Sequence, residues 1–155
     1  MNRRPTVIKN ILDQHPDAFV VLSNGLTSRE ASHFFRQQRC LYMLHAMGES
    51  LAVGVGLAKA LPRLQVVVIE GDYNALMGLA AWSLMPLSNL RYYVLDNRSS
   101  ETTGGQSVPR LPFVPAWCSV VQMASGRSDA PNPPPPRDIW HECRAWLVSN
   151  RYLQE

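Results

Sequence analysis

The sequence predicts a three-layer α/β/α domain built on a mostly parallel sheet. Short apolar runs alternate along the chain with segments whose apolar residues recur at helical spacing, which is the pattern of βα units. The runs are apolar at consecutive positions, as in strands that are buried on both faces. With 155 residues, of which 46% are hydrophobic, the chain is long enough to bury a substantial core. We therefore expect a single domain over residues 1–155.

The first half of the chain is predicted to contain two helices and two strands. Pro5 suits a first helical turn, and the apolar residues that follow it share one helical face. Ser23-Asn24-Gly25 is predicted to form either a substrate loop or a plain turn. Thr27 is expected to cap the second helix, with Glu30 completing a capping box. The predicted elements are a helix over 5–12, a strand over 18–22, a helix over 27–38 and a strand over 40–44.

The second half is predicted to contain three helices and three strands. Small residues line the first of these helices and permit close packing on a sheet, and Pro86 is expected to end the second. Residues 97–116 are expected to form a long loop, and such loops inside compact domains are usually functional or disordered. A proline-rich connector over 130–136 leads to a last helix that Asp138 can cap. The predicted elements are helices over 48–61, 74–84 and 137–150, and strands over 66–69, 92–95 and 116–122.

Composition and charge exclude several classes of protein. The formal net charge is +3 and the basic residues are dispersed, so the sequence lacks the footprint of a nucleic-acid-binding protein. No apolar run reaches the roughly 18 residues of a membrane span, and no apolar segment follows the basic start as in a secretory signal. We therefore expect a cytoplasmic protein that binds neither nucleic acid nor membrane. The three cysteines lack zinc-site spacing and are expected to be reduced structural thiols.

Polar turns follow three of the predicted strands, over residues 45–50, 70–74 and 96–106. The carboxyl ends of parallel strands lie at one edge of a sheet, where ligands bind. Asp72 offers a carboxylate and Asn97 a side-chain carbonyl, and a backbone carbonyl after Asn97 can supply a third oxygen to Mg²⁺. This ion commonly shares its coordination with phosphates, and the N–H groups at the start of the following helix favour the same anion. From the residues alone, the alternative is that Asp72 caps a helix and Asn97 occupies a turn.

Four sequence blocks in order carry a resemblance to a known enzyme family. They are SNGLTSRE over 23–30, MGES over 47–50, GDYN over 71–74, and the stretch from LDN to TTGGQ over 95–106. They resemble the diphosphate-binding domain of thiamine diphosphate-dependent enzymes, above all phosphonopyruvate decarboxylases and the β subunits of sulfopyruvate decarboxylases. The tail after Val120 also resembles the end of those chains. The resemblance implies the three-layer thiamine diphosphate-binding fold, with thiamine diphosphate and Mg²⁺ as cofactors.

The resemblance implies roles at the diphosphate end of the cofactor. Asp72 and Asn97 would bind Mg²⁺ through their side chains, and Ser99 would bind it through its backbone carbonyl. The residues implied to contact the diphosphate, mainly through backbone N–H groups, are Gly71, Tyr73 and Asn74.

The resemblance also implies roles at the reacting end of the cofactor. Met47 matches the bulky residue that holds the cofactor bent, and Gly48 belongs to the same cofactor-binding block. The main-chain carbonyl of His45 would accept a hydrogen bond from the aminopyrimidine. Glu101 begins a segment that would line or cover the reaction centre. The two catalytic candidates are therefore Met47 and Glu101.

The chain departs from the family pattern at three places. Tyr73 stands where the family motif usually has Gly, and a positive φ at this position would cost of order 1 kcal/mol or more. Glu49 stands where relatives often have His, which affects the substrate group that is recognised. The segment after Gln106 is shorter than in relatives, so we expect a smaller sheet.

The other half of such an active site lies in a second domain, whose Glu activates the thiazolium carbon. The resemblance implies that a separate pyrimidine-binding subunit supplies this Glu, in an α2β2 heterotetramer, with helices 48–61 and 74–84 as candidate contact surfaces. The implied reaction is decarboxylation of a 2-oxo acid, which yields either an aldehyde or, in an acyloin-type carboligase of a specialised pathway, a new C–C bond. The remaining alternative is a non-catalytic regulatory subunit that kept the fold.

Overall fold

Five parallel strands form the central sheet of the protein. The computed structural model describes residues 2–154, so Met1 and Glu155 of the expected domain lie outside the described residues. The strands are β1 (Phe19–Leu22), β2 (Cys40–Tyr42), β3 (Val66–Gly71), β4 (Leu90–Asp96) and β7 (Cys118–Gln122), in the order β2-β1-β3-β4-β7. All four pairings between neighbours are parallel. All five predicted sheet strands are thus confirmed.

Helices cover both faces of the sheet. They are α1 (Arg4–Gln14), α2 (Leu26–Phe35), α3 (Ser50–Ala60), α4 (Asp72–Met77), a 3-10 helix (Leu79–Leu84) and α5 (Pro136–Ser149). Every residue of β1 is buried, and β3 is buried up to its last residue. The rings of Phe19 and of Trp146 in α5 pack 5.9 Å apart, and α2 contacts β1, β2 and β3 with α1 packed against it. The predicted three-layer α/β/α fold is therefore confirmed.

Two predicted helix caps are wrong. Helix α2 begins at Leu26, after Gly25 with φ 83°, so Thr27 lies buried inside the first turn and makes no cap. Glu30 accepts a hydrogen bond from Arg4 at 3.1 Å instead of completing a capping box. Helix α5 begins at Pro136, whose fixed φ suits a first turn, so Asp138 lies within that turn and makes no side-chain cap bond.

The helix predicted over 74–84 begins at Asp72 and is divided at Gly78 into α4 and the 3-10 helix. A Cβ atom at Gly78 would lie 2.2 Å from the backbone oxygen of Gly48, so two backbones meet at this point. The loop predicted over 97–116 also contains a short antiparallel hairpin of β5 (Ser99–Ser100) and β6 (Gln106–Ser107). The break at Gly78 comes from a contact between distant segments, whereas the hairpin is a local pairing within the loop.

Four further elements are shorter than predicted by two or more residues at one end: β2 ends at Tyr42, α2 ends at Phe35, α3 begins at Ser50 and β7 begins at Cys118. The cysteines Cys40, Cys118 and Cys143 are buried free thiols. Burial raises the pKa of each thiol above its usual value. Among residues 2–154, no helix combines the length and apolarity that a membrane crossing requires.

Helix α3 packs on the sheet through the face that contains Gly54. A Cβ atom at Gly54 would lie 2.3 Å from Cγ2 of Val68, a stiff β-branched residue in the centre of the sheet. The small residue therefore sets the distance between α3 and β3. Gly56, on the exposed side of α3, has no atom within 4 Å of the same position.

We expect Gly54→Ala to lower the free energy of unfolding by about 1–3 kcal/mol, because α3 must move off the sheet. The matched change Gly56→Ala is expected to raise it by about 0.5–1 kcal/mol, since Ala lowers the backbone entropy of the unfolded chain and adds no clash in the helix. Urea denaturation of both variants measures the difference. Equal effects of the two changes would show that Gly54 does not set the packing distance.

Candidate functional site

A cavity opens at the carboxyl edge of the sheet, where the predicted turns were expected to meet. The turns after β1, β2, β3 and β4 all contribute to its wall, together with Arg4 at the start of α1. Of the sequence-predicted site residues, those that line this cavity are Met47, Gly71, Asp72, Tyr73, Asn74, Asn97, Ser99 and Glu101. The expected gathering of the turns at one edge is therefore found.

His45 and Gly48 do not line the cavity, although both lie in the turn that presents Met47. His45 is exposed and has a positive φ of 61°, which is uncommon for a residue with a Cβ atom. The backbone N–H of Gly48 donates to Oδ1 of Asn74 at 2.9 Å. The turn after β2 is thus tied to the turn after β3.

Asp72 is the first residue of α4 and its carboxylate is held by two backbone groups. Oδ1 accepts from the N–H of Tyr73 at 2.8 Å, and Oδ2 accepts from the N–H of Arg98 at 2.9 Å. Burial, and next the neighbouring carboxyl group of Asp96, raises the pKa of Asp72 to about 6. A cation beside this carboxylate would therefore relieve an unfavourable buried charge.

Asn97 lies in a tight turn beside Asp72. Its Oδ1 accepts from the N–H of Ser99 at 3.1 Å, and the intervening Arg98 has a φ of 60°. The turn brings Asn97 and Ser99 to the same cavity wall as Asp72. Asn97 thus occupies a turn, as the alternative interpretation of these residues predicts. Asp72 is not the helix cap that the same interpretation predicts, because the cap residue is Gly71.

Tyr73 lies within α4 and is not one of the residues with positive φ. Tyr73 therefore does not have the conformational energy cost that a positive φ at this position would impose. What changes is the local shape, because the Tyr73 side chain contributes to the cavity wall.

Glu101 belongs to a buried ion cluster that the sequence did not indicate. Its carboxylate pairs with the guanidinium of Arg4 and also accepts from the N–H of Gly126. Arg4 pairs at the same time with Glu30 in α2, and all three side chains are buried. No local sequence signal connects Arg4 with a partner 97 positions away.

Asn24 and Gly25 of the turn Ser23-Asn24-Gly25 lie in the cavity wall as well. Ser23 Oγ accepts from the N–H of Gly71 at 3.3 Å, which ties the turn after β1 to the turn after β3. Oδ1 of Asn24 is buried and has no hydrogen-bond partner among the described residues. The carbonyl is available to a bound group, so the substrate-loop interpretation of this turn stays open.

Glu70 lies beneath the site and not in its wall. It is buried at the end of β3, and its Oε2 accepts from the hydroxyl of Tyr92 at 2.6 Å. Burial raises the pKa of Glu70 above its usual value. Of the two acidic residues in the 70–74 turn, only Asp72 therefore lines the cavity.

Residues 22–126 match the profile of the family described as thiamine pyrophosphate enzyme, C-terminal TPP binding domain. The match covers more than half of the chain, begins at the last residue of β1 and includes β2, β3, β4 and β7 with the turns after β1 to β4. The chain belongs to this family. The resemblance inferred from the four sequence blocks is thereby confirmed.

Curated relatives carry two names. The chain is 37% identical over 123 residues to phosphonopyruvate decarboxylase of Streptomyces hygroscopicus, an alignment that covers 74% of this chain and 30% of the relative. It is 37% identical over 109 residues to sulfopyruvate decarboxylase subunit beta of Methanothermobacter thermautotrophicus, covering 68% of this chain and 58% of that protein. The chain thus spans about a third of the first relative and less than two thirds of the second.

We expect Arg4→Met to destabilise the fold by about 3–5 kcal/mol, because it leaves the buried carboxylates of Glu30 and Glu101 without a counter-charge. Arg3→Met, at an exposed neighbouring position, is expected to change the unfolding free energy by less than about 0.5 kcal/mol. Chemical denaturation of the two variants measures both values. A small effect of Arg4→Met would mean that the ion cluster does not stabilise the fold.

Proposed function

We propose that this chain is the diphosphate- and Mg²⁺-binding subunit of a thiamine diphosphate-dependent enzyme that acts on a 2-oxo acid. The observation that carries the proposal is the meeting of Asp72 and Asn97 at one cavity wall, within the region that matches the family. Their turns follow the paired strands β3 and β4 and are joined by the hydrogen bond from Arg98 N–H to Asp72.

The donor set fits Mg²⁺. The carboxylate of Asp72, the amide oxygen of Asn97 and the backbone carbonyl of Ser99 are hard oxygen ligands, which this ion prefers. Within residues 2–154, no group of three or more His, Cys, Asp and Glu side chains is placed to hold a metal ion. The remaining ligands would be diphosphate oxygens and water, as is usual for Mg²⁺ at phosphate sites.

The turn between β3 and α4 is open to the diphosphate. A Cβ atom at Gly71 would have no neighbour within 4 Å, so a bulky anion can approach the backbone there. We assign the diphosphate contacts to Gly71, Tyr73 and Asn74. Because α4 contains only six residues, the helix dipole adds little to this binding. The N–H groups of Gly71 and Tyr73, which donate to Ser23 Oγ and Asp72 Oδ1, would exchange these partners for diphosphate oxygens.

The turn after β2 faces the reacting end of the cofactor. Met47 would support the bent conformation, with Gly48 beside it, and the main-chain carbonyl of His45 would accept a hydrogen bond from the aminopyrimidine. The positive φ of His45 orients this carbonyl differently from that of an extended residue, and such backbone conformations are concentrated at functional sites. Glu101 would line the edge of the reaction centre, held by Arg4.

When bound, thiamine diphosphate supplies a nucleophilic thiazolium carbon and an electron sink for the loss of CO₂ from a 2-oxo acid. This chain's residues hold the metal and diphosphate and orient the ring. We propose that the activating Glu comes from a separate pyrimidine-binding subunit, in an α2β2 assembly. The match to a C-terminal cofactor-binding domain and the relatives named as β subunits support this arrangement.

A basic cavity beside the site supports a substrate with an additional anionic group. It has a volume of about 280 Å³, and its wall contains Arg3 and Arg127 in addition to the paired Arg4 and Glu30. Arg4 also lines the first cavity, so the two are adjacent. Phosphonopyruvate and sulfopyruvate, which the relatives' names contain, are 2-oxo acids of this kind.

Carboligation and a regulatory role are the other candidate functions. In carboligation, the decarboxylated substrate forms a C–C bond with a second carbonyl compound. This reaction needs the same cofactor site as aldehyde formation and differs only in what the decarboxylated substrate reacts with. A regulatory subunit would have lost competent cofactor binding, and Tyr73 and the shortened segment after Gln106 are the features in its favour. The helical, unstrained backbone at Tyr73 favours the catalytic proposal.

We expect Asp72→Ala to abolish saturable, Mg²⁺-dependent binding of thiamine diphosphate, because the metal loses its only carboxylate ligand. Asp13→Ala, which removes an exposed carboxylate of α1, is expected to leave binding unchanged. Isothermal titration in the presence of the partner subunit measures both, with circular dichroism as a check on folding. Unaltered binding by the folded Asp72→Ala variant would refute the metal assignment.

We expect CO₂ release only when the chain is combined with its pyrimidine-binding partner, thiamine diphosphate and Mg²⁺. Assays with pyruvate, phosphonopyruvate and sulfopyruvate are expected to favour the two substrates that have a second anionic group, because of the basic cavity. Product analysis with and without an added aldehyde separates aldehyde formation from carboligation. Saturable cofactor binding without turnover of any 2-oxo acid would favour the regulatory alternative.

A further inference from the structure

Asn74 makes two contacts that connect α4 with the turn after β2. Its side-chain Oδ1 accepts a hydrogen bond from the N–H of Gly48 at 2.9 Å. Its backbone oxygen accepts from the N–H of Gly78 at 2.9 Å, at the point where α4 ends. Asn74 is thus hydrogen-bonded to both backbone segments that meet here, the turn at Gly48 and the end of α4 at Gly78.

The two glycines meet with no space for a side chain. A Cβ atom at Gly78 would lie 2.2 Å from the oxygen of Gly48, and one at Gly48 would lie 3.0 Å from Cβ of Met77. Gly48 also has a φ of 80°, a conformation that L side chains rarely adopt. The backbone of the turn is therefore pressed directly onto the end of α4.

Met47 precedes Gly48 and lines the cofactor cavity. Its position is set by the bond from Gly48 to Asn74 on one side and by His45, with its positive φ, on the other. Asn74 uses its side-chain Oδ1 for this bond and thereby holds its side chain against the turn after β2. Its backbone N–H, by contrast, is unchanged by any side-chain substitution.

We propose that the side chain of Asn74 is a positioning residue that clamps the 45–49 turn to α4 and thereby holds Met47 against the thiazolium and pyrimidine rings of the cofactor. The inference rests on the proposed function, because it assigns the Asn74 side chain to the ring-binding part of that site. It gives Asn74 two separate roles: its backbone N–H contacts the diphosphate, and its side chain sets the position of Met47.

Two ligands distinguish these roles. In the complex with the partner subunit, Asn74→Ala is expected to weaken Mg²⁺–thiamine diphosphate binding about tenfold, the effect of one lost hydrogen bond. Binding of Mg²⁺–pyrophosphate, which has no rings, is expected to change by less than about twofold. Gly78→Ala is expected to act in the same direction, because its Cβ atom displaces Gly48, while Asn10→Ala, on the exposed surface of α1, changes neither constant.

Hydrogen exchange in the ligand-free chain tests the clamp itself. Asn74→Ala is expected to accelerate exchange over residues 45–49 without accelerating it in β3, and Asn74→Asp, which retains an acceptor oxygen, is expected to restore protection. Unchanged exchange over 45–49 would overturn the clamp, and equal weakening of both ligands would overturn the role in positioning Met47. If the unsubstituted complex binds neither ligand, the proposed function is wrong, and so is the assignment of Met47. The hydrogen-exchange result would still decide whether Asn74 clamps the 45–49 turn.

Discussion

The site depends on the parallel pairing of β3 with β4. Their register places Gly71 opposite Leu95 at the ends of the two strands. Asp72 therefore starts a helix at the point where Asp96 and Asn97 leave the neighbouring strand. A shift of one residue would reverse the faces of the side chains and remove Asp72 from Asn97. The buried apolar residues of both strands fix this register, so the core of the sheet determines the geometry of the polar site.

The polar turns are connected to one another by hydrogen bonds from backbone N–H groups to side-chain oxygens. Ser23 contacts Gly71, Asn74 contacts Gly48, and Asp72 contacts Arg98. Each bond joins turns that follow different strands. The raised pKa of Asp72 indicates that the ligand-free site carries an electrostatic cost. Such a cost is expected where a site is preorganised for a cation, because function and local stability compete there.

The sequence was sufficient to predict the strands and the part of the site that directly follows them. Continuous apolar runs identified all five strands of the sheet, and Asp72 and Asn97 could be found because each stands just beyond one of these runs. The helix caps were wrong because Gly25 and Pro136 determine where α2 and α5 begin, ahead of the side chains that can cap. The break at Gly78 and the ion cluster of Arg4 arise from contacts with residues far along the chain, which leave no local pattern.

A crystal structure of the complex with the partner subunit, thiamine diphosphate and Mg²⁺ would test the central claim most directly. We expect one metal ion at the carboxyl edge of the sheet, bound at about 2.0–2.1 Å by a carboxylate oxygen of Asp72, the amide oxygen of Asn97 and the carbonyl oxygen of Ser99. The same ion would contact two diphosphate oxygens. A cofactor whose diphosphate and metal lie away from the turns after β3 and β4 would contradict the account.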